Sequence, residues 1–148
     1  MKNSCSFSEG AGKYALTVVR FVLGVIFFMH GSQKVLGWFG GGGLVETVKG
    51  FTGMGMPAAL AYLVCFGEFL GGLGLIVGCL SRVAALGIMI IMIGAVVTVH
   101  WKNGFFLQNQ GYEYNLALIG LSLGVILGGP GCCGFDNLFC KKKEGIAA

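Results

Sequence analysis

The chain has 148 residues, of which 55% are hydrophobic and only 11% charged, with a mean hydropathy of +0.83. So much apolar surface cannot be hidden in a water-soluble core of this size, which excludes a soluble globular enzyme and makes the chain a membrane protein. Its net charge of +4 comes without a basic face interleaved with aromatics, so it speaks for membrane topology and lipid headgroups rather than nucleic acid.

Four segments meet or approach the roughly 20 residues that a helix needs to cross a bilayer: residues 14–31, 58–80, 83–100 and the shorter 114–129. They are continuously apolar, without the alternation of a lipid-facing strand, so the expected fold is all-α: an integral membrane four-helix bundle forming a single domain. Polar residues (Asn3, Ser4, Ser6, Ser8, Glu9) precede the first segment and no small-x-small cleavage site follows it, so it reads as a retained anchor. Between the first two segments lies the longest connection, residues 32–57. Its run from Gly40 to Gly43 has neither the preceding strand nor the following Gly-Lys-Ser/Thr of a phosphate cradle, so no nucleotide site is expected. A short interfacial helix over 44–51 is expected instead, with Leu44, Val48 and Phe51 on one face and Glu46 and Lys49 on others. Pro57 suits the first turn of the second membrane helix.

Ser81 and Arg82 alone join the second and third segments, which must be antiparallel neighbours. The last connection, 101–113, is polar, and Trp38, Trp101, Tyr62, Tyr112 and Tyr114 cluster at the outer boundary where amphipathic rings prefer to lie. The side holding both termini carries Lys2, Lys13, Arg82 and the three lysines 141–143, against Lys34, Lys49 and Lys102 on the other, so both termini are expected in the cytoplasm, with 132–148 a short tail. Glycine rows mark inward faces: Gly67, Gly71, Gly74 and Gly78 in the second segment, Gly120, Gly124 and Gly128 in the fourth, and pairs seven apart in the first (Gly24, Gly31) and third (Gly87, Gly94). Arg20 lies four residues before Gly24, on the same inward face.

Chemistry is carried by a few ionisable groups. Glu68 stands in the middle of 58–80, where a carboxylate costs several kcal/mol unless it meets protein or water and a partner. At about 1.5 Å per residue from the cytoplasmic side, Arg20 lies roughly 9 Å deep, Glu68 18 Å, His30 24 Å and His100 27 Å, so a bridge from Glu68 to Arg20 or His30 is expected. His30 and Lys34 share a helical face near the outer rim, with His100, Lys102 and Glu113 supplied by other helices. Such a set suits a small polar head with an apolar tail. A quinone needs donors at its carbonyls and groups that exchange protons, which histidine beside a carboxylate can supply. No His-x-x-x-His or Glu-x-x-His spacing occurs on one helix, so no metal is expected. The cysteines form no disulfide framework: Cys5, Cys132, Cys133 and Cys140 fall on the predicted cytoplasmic side and Cys65 and Cys79 within the second helix. Cys132-Cys133 with Cys140 can be read as redox-active or metal-binding, against the blander reading of adjacent thiols at a membrane edge.

From Arg20 to Asp136 the chain resembles the DoxX family of small four-helix membrane proteins. The features are Arg20 before Gly24, His30-Gly31-x-x-Lys34, Gly55-Met56-Pro57, Glu68-x-x-Gly71-Gly72-x-Gly74-Leu75, Gly78-x-x-Ser81-Arg82-Val83-Ala84-Ala85, Glu113-Tyr114, and Gly129-Pro130-Gly131 followed by Asp136. Where the family has Ser-Leu-Asp after the Gly-Pro-Gly turn, this chain has Gly134-Phe135-Asp136 with Cys132-Cys133 inserted before it. The resemblance implies a multi-pass protein of the bacterial cytoplasmic membrane and an oxidoreductase setting, since related DoxD-type subunits belong to a thiosulfate:quinone oxidoreductase and other members are linked to sulfur handling or oxidative stress.

The resulting expectation is a component passing reducing equivalents to quinone, with Glu68 and His30 moving protons and Arg20, Lys34, His100, Glu113 and Arg82 binding ligand or setting charge. Membrane lipid and a soluble redox or sulfur-handling enzyme are the expected partners, a homo-oligomer is left open, and nucleic acid is not expected. The competing reading is a non-catalytic scaffold or lipid-like-ligand subunit for such an enzyme. A small-solute transporter ranks below both, since inverted repeats and broken helices are not evident.

Overall fold

A computed structural model describes residues 3–136, with side chains from Gly12 onward, and is helical without a strand among those residues. Helix α1 (Asn3–Leu36) is followed by α2 (Gly43–Gly53), α3 (Ala58–Val77), α4 (Ser81–Ala95) and α5 (Glu113–Gly128). Three stretches are long and apolar enough to cross a membrane, Gly12–Leu36, Ala58–Val77 and Ser81–Asn103, and α5 is a shorter apolar helix. The four apolar helices touch in a cycle, α1 on α3, α3 on α4, α4 on α5 and α5 on α1.

Several boundaries depart from the sequence reading. The first helix runs on to Leu36, so Lys34 belongs to a helix end and not to a loop. The connection between α3 and α4 is Gly78 to Leu80, and Ser81 and Arg82 open α4. Gly78 takes the left-handed conformation (φ 76°) that ends a helix, its N–H donating to the Gly74 carbonyl at 2.8 Å. Leu80 is also left-handed (φ 52°), an uncommon state for a branched residue, and its amide is held from outside the turn. The third segment is not α-helical to its end: Val96–His100 is a π-helix, which hydropathy cannot reveal because it changes hydrogen-bond register and not composition.

Inside a membrane there is little hydrophobic drive between helices, so close packing carries the association. The tightest seam is between α1 and α3, where a Cβ on Gly72 would lie 2.7 Å from the Phe27 carbonyl carbon and one on Gly24 2.7 Å from the Ile76 amide. Gly67 and Gly71 instead face α4, against Ile91 and Ile88. By contrast Gly87, Gly94, Gly120 and Gly124 have open space where a Cβ would stand, so the expected inward pair on the third segment is not a packing face within this chain, and of the fourth segment's row only Gly128 is, a Cβ there lying 2.6 Å from the Leu16 side chain. The central core joins Leu23 and Phe27, Leu75, Ile88 and Met92, and Leu118 and Val125. A second, smaller cluster lies under α2, where buried Val48 meets Ala61 and Cys65 of α3 with Phe51 and Met56 around them. A short helix therefore exists where one was expected over 44–51, one residue longer at its start and two at its end, and it packs on both α1 and α3.

Candidate functional site

Glu68 lies on the face of α3 that turns toward α1, in register with buried Cys65, Gly72 and Leu75, so the helix that makes the seam also buries the carboxylate. Only 3% of its side chain is exposed. Lys34, near the end of α1, answers it with Nζ 2.5 Å from both carboxylate oxygens. Lys34 keeps 25% of its side chain open, and its ammonium sits 5.8 Å from the centroid of the Phe51 ring on α2. Phe28 and Phe69 stack across the same seam at 5.4 Å. The site is thus a charge pair whose anion is enclosed and whose cation has one accessible side, roofed by an amphipathic helix. Such a pair can bind a carbonyl or anionic head through the ammonium and accept or release a proton through the carboxylate.

The expected bridge from Glu68 to Arg20 or His30 does not form. His30 is exposed and makes no hydrogen bond or ion pair among the described residues. Lys34, four residues on, is turned about 40° further around the helix, which carries its long side chain into the seam. Arg20 is engaged elsewhere through both terminal nitrogens, while its buried Nε has no hydrogen-bond partner among the described residues. Buried to 2% exposure, it donates through Nη1 to the Leu75 carbonyl at 2.7 Å and more weakly to Ile76 at 3.5 Å, and through Nη2 to the Cys133 carbonyl. The guanidinium fork therefore satisfies the orphan carbonyls at the end of α3 and pins the chain after α5 to them.

Asp136 completes this second cluster. Its carboxylate accepts from the Leu80 amide at 2.7 Å and the Ser81 amide at 2.9 Å, capping α4 from a distant part of the chain. Partial burial opposes its ionisation, but the Ser81 and Leu80 hydrogen bonds and the Arg20 charge outweigh that and hold the carboxyl below its ordinary value. Arg82 is exposed beside Gly129, apart from Glu68.

The remaining polar residues lie at the loop end of α4. His100 Nδ1 meets the Gln110 carbonyl at 2.7 Å, which Asn103 also reaches at 3.3 Å, so this ring holds the 101–112 loop. Glu113 opens α5 and is half-buried, its acidic group near the positive end of the helix dipole. Neither joins the Lys34–Glu68 pair. Sequence reading passed over Asn115, which is 6% exposed and donates to the Met92 sulfur at 3.5 Å between α4 and α5. Its signal was its spacing with Leu118, Ser122 and Val125, all on the buried stripe of α5. No group of three metal-ligating side chains occurs among the described residues.

The sequence profile of the DoxX family matches residues 15–101, which span the pair and Arg20. The chain belongs to the DoxX family. It is 31% identical over 86% of its length to a Bacillus subtilis protein described as "Putative oxidoreductase CatD", covering 88% of that relative. It is 28% identical over 84% of its length to the "Inner membrane protein YqjF" of Escherichia coli, covering 92% of it, and 32% identical over 87% to a Haemophilus influenzae protein of which it covers 93%. No solved structure matches it significantly. The protein is accordingly a DoxX-family membrane protein with relatives named for an oxidoreductase and for the inner membrane.

Proposed function

We propose that this protein is a quinone-interacting component of a bacterial membrane oxidoreductase system, with the Lys34–Glu68 pair as its working site. The carrying observation is the enclosed carboxylate held by a lysine that stays partly accessible. The residues present fit a quinone: an ammonium donor for a ring carbonyl, a carboxylate beside it, and the aromatic faces of Phe51, Phe28 and Phe69 for an apolar ring and tail. Bound there, the quinone would supply the two-electron, two-proton acceptor chemistry. Lys34 would orient the head and offset negative charge on it, Glu68 would hold and pass the proton, and α2 would limit water at the pair. His30, exposed one turn before Lys34, is available to relay protons to the surface, while Arg20 and Asp136 fix the helices that carry the pair.

The reading extends to topology. All four apolar helices cross the cytoplasmic membrane, with both termini inside. The hydrogen bond from the Cys132 amide to Thr17 puts the segment after α5 against the first half of α1, and that end carries Lys13 and Arg82. Electrons would come from a soluble redox or sulfur-handling enzyme, as the family resemblance implies.

Reconstituted protein in lipid nanodiscs should bind a ubiquinone or menaquinone analogue, and Glu68→Gln should weaken that binding at least about tenfold, or about 1.4 kcal/mol. Quinone binding unaffected by Glu68→Gln, together with full rescue of a deletion strain by that variant, would refute the reading. Binding that persists without any electron transfer would favour the scaffold instead.

A further inference from the structure

Beyond the C-terminal end of α3, away from the charge pair, stands a feature the proposed function does not use. After α5 the chain turns through Gly129 and Gly131, both with positive φ, and lays Cys132 on α1. The Cys132 amide donates to Thr17 Oγ1 at 3.0 Å, and its sulfur lies 3.4 Å from the same hydroxyl and 3.1 Å from the Cys133 sulfur. The Thr17 hydroxyl donates to the Lys13 carbonyl at 3.0 Å, and across its contact with the Cys132 sulfur either group can be the donor. Cys133 is exposed, Cys132 half-buried, and the Cys133 carbonyl is held by Arg20. Two thiols are thus kept side by side at a surface by backbone anchors on both flanks.

We propose that Cys132 and Cys133 form a thiol–disulfide exchange site that reduces a small-molecule disulfide, with Cys132 attacking and Cys133 resolving. The Cys132 thiolate attacks one sulfur of the disulfide, whose S–S bond breaks as the first thiolate leaves, giving a mixed disulfide on Cys132. Cys133 then gives up its proton and attacks the Cys132 sulfur. The Cys132–Cys133 bond forms, the second thiolate leaves, and the two cysteine protons end on the two departing thiols. Two electrons pass from the cysteine pair to the disulfide, which is the whole balance of the exchange.

The division of roles follows from the surroundings. Hydrogen bonds from Thr17 and from Cys133, with the Arg20 charge nearby, hold the Cys132 thiol below its ordinary value, and its bond to Cys132 raises Cys133. A lowered thiol supplies more thiolate, so Cys132 reacts first. Adjacent Cα atoms are about 3.8 Å apart, below the roughly 4.4 Å at which unstrained bridges begin, so the product disulfide is strained, forms only while the external disulfide is in excess, and reverts to thiols when it is not. The pair is therefore suited to turnover or sensing and not to stapling the tail.

The test is peptide mass mapping of full-length protein in nanodiscs, reduced, exposed to oxidised glutathione, then quenched in acid and alkylated. Cys133→Ser should accumulate glutathione on Cys132, wild type should pass on to a Cys132–Cys133 bridge, and Cys132→Ser should acquire glutathione on Cys133 about tenfold more slowly. The bridge should also form in Cys140→Ser, whose mutated position lies outside the described residues. Equal rates at the two sulfurs, a wild type that stops at the mixed disulfide, or a bridge to Cys140 or Cys79 instead would each overturn the assignment.

Discussion

The middle of α3 and its C-terminal end hold buried charge in opposite ways. In the middle Glu68 meets a side chain, Lys34, which retains an accessible face; at the end Arg20 meets backbone carbonyls of Leu75, Ile76 and Cys133, while Asp136 meets the amides of Leu80 and Ser81. Charge directed at backbone saturates helix termini and locks three chain segments together, so its natural consequence is stability. Charge directed at another side chain leaves lone pairs and protons that can be exchanged. The comparison teaches that a charged residue inside an apolar segment is only a question, and that what it touches gives the answer.

The largest expected effect breaks the structural end. Arg20→Ala removes the fork and strands the buried Leu75 carbonyl it holds, and should cost about 3–5 kcal/mol in unfolding by denaturing detergent. Arg20→Lys should recover little of it, because a single ammonium cannot bridge α3 and the Cys133 carbonyl together. An Arg20→Ala protein as stable as wild type would remove the distinction between the two clusters.

Next comes the pair itself. Lys34→Met leaves Glu68 without its partner in an enclosed site and should cost about 3 kcal/mol, near the lower limit for breaking a buried pair because Lys34 is partly open. Lys34→Met with Glu68→Met should restore most of that stability and no quinone binding, since an apolar pair replaces the charges without their chemistry. A double mutant that binds quinone would show that the charges there serve only packing.

Asp136→Asn should have a smaller effect, about 1 kcal/mol, as is usual for a helix cap. Because the folded carboxyl sits below its ordinary value, its contribution is complete above the unfolded-state value and is lost as pH falls through the folded one. Melting temperatures of wild type and Asp136→Asn should therefore differ at neutral pH and converge in acid. A difference that grows as the pH falls would contradict the cap.

Much of the fold was legible in the sequence, because spans are written in hydropathy and α2 in the spacing of Leu44, Val48 and Phe51. Glu68 was legible as a candidate for the same reason, a lone carboxylate in an apolar run. Its partner was not. Depth along the membrane is one coordinate, and it placed Glu68 between Arg20 and His30. Rotation around α1 and the extension of that helix to Leu36 decided for Lys34. The partners of Arg20 were illegible for a different reason: they are carbonyls, which every residue carries, so no side-chain pattern announces them. The π-helix at Val96–His100 is hidden likewise, being a change of backbone register.

The most direct measurement is quinone-analogue affinity of nanodisc-embedded protein, read together with unfolding free energy, for Glu68→Gln and Asp136→Asn against wild type. The account predicts that Glu68→Gln loses at least about tenfold in affinity while Asp136→Asn, though less stable, binds within about twofold of wild type. Equal affinity in Glu68→Gln and wild type, or a loss confined to Asp136→Asn, would contradict it.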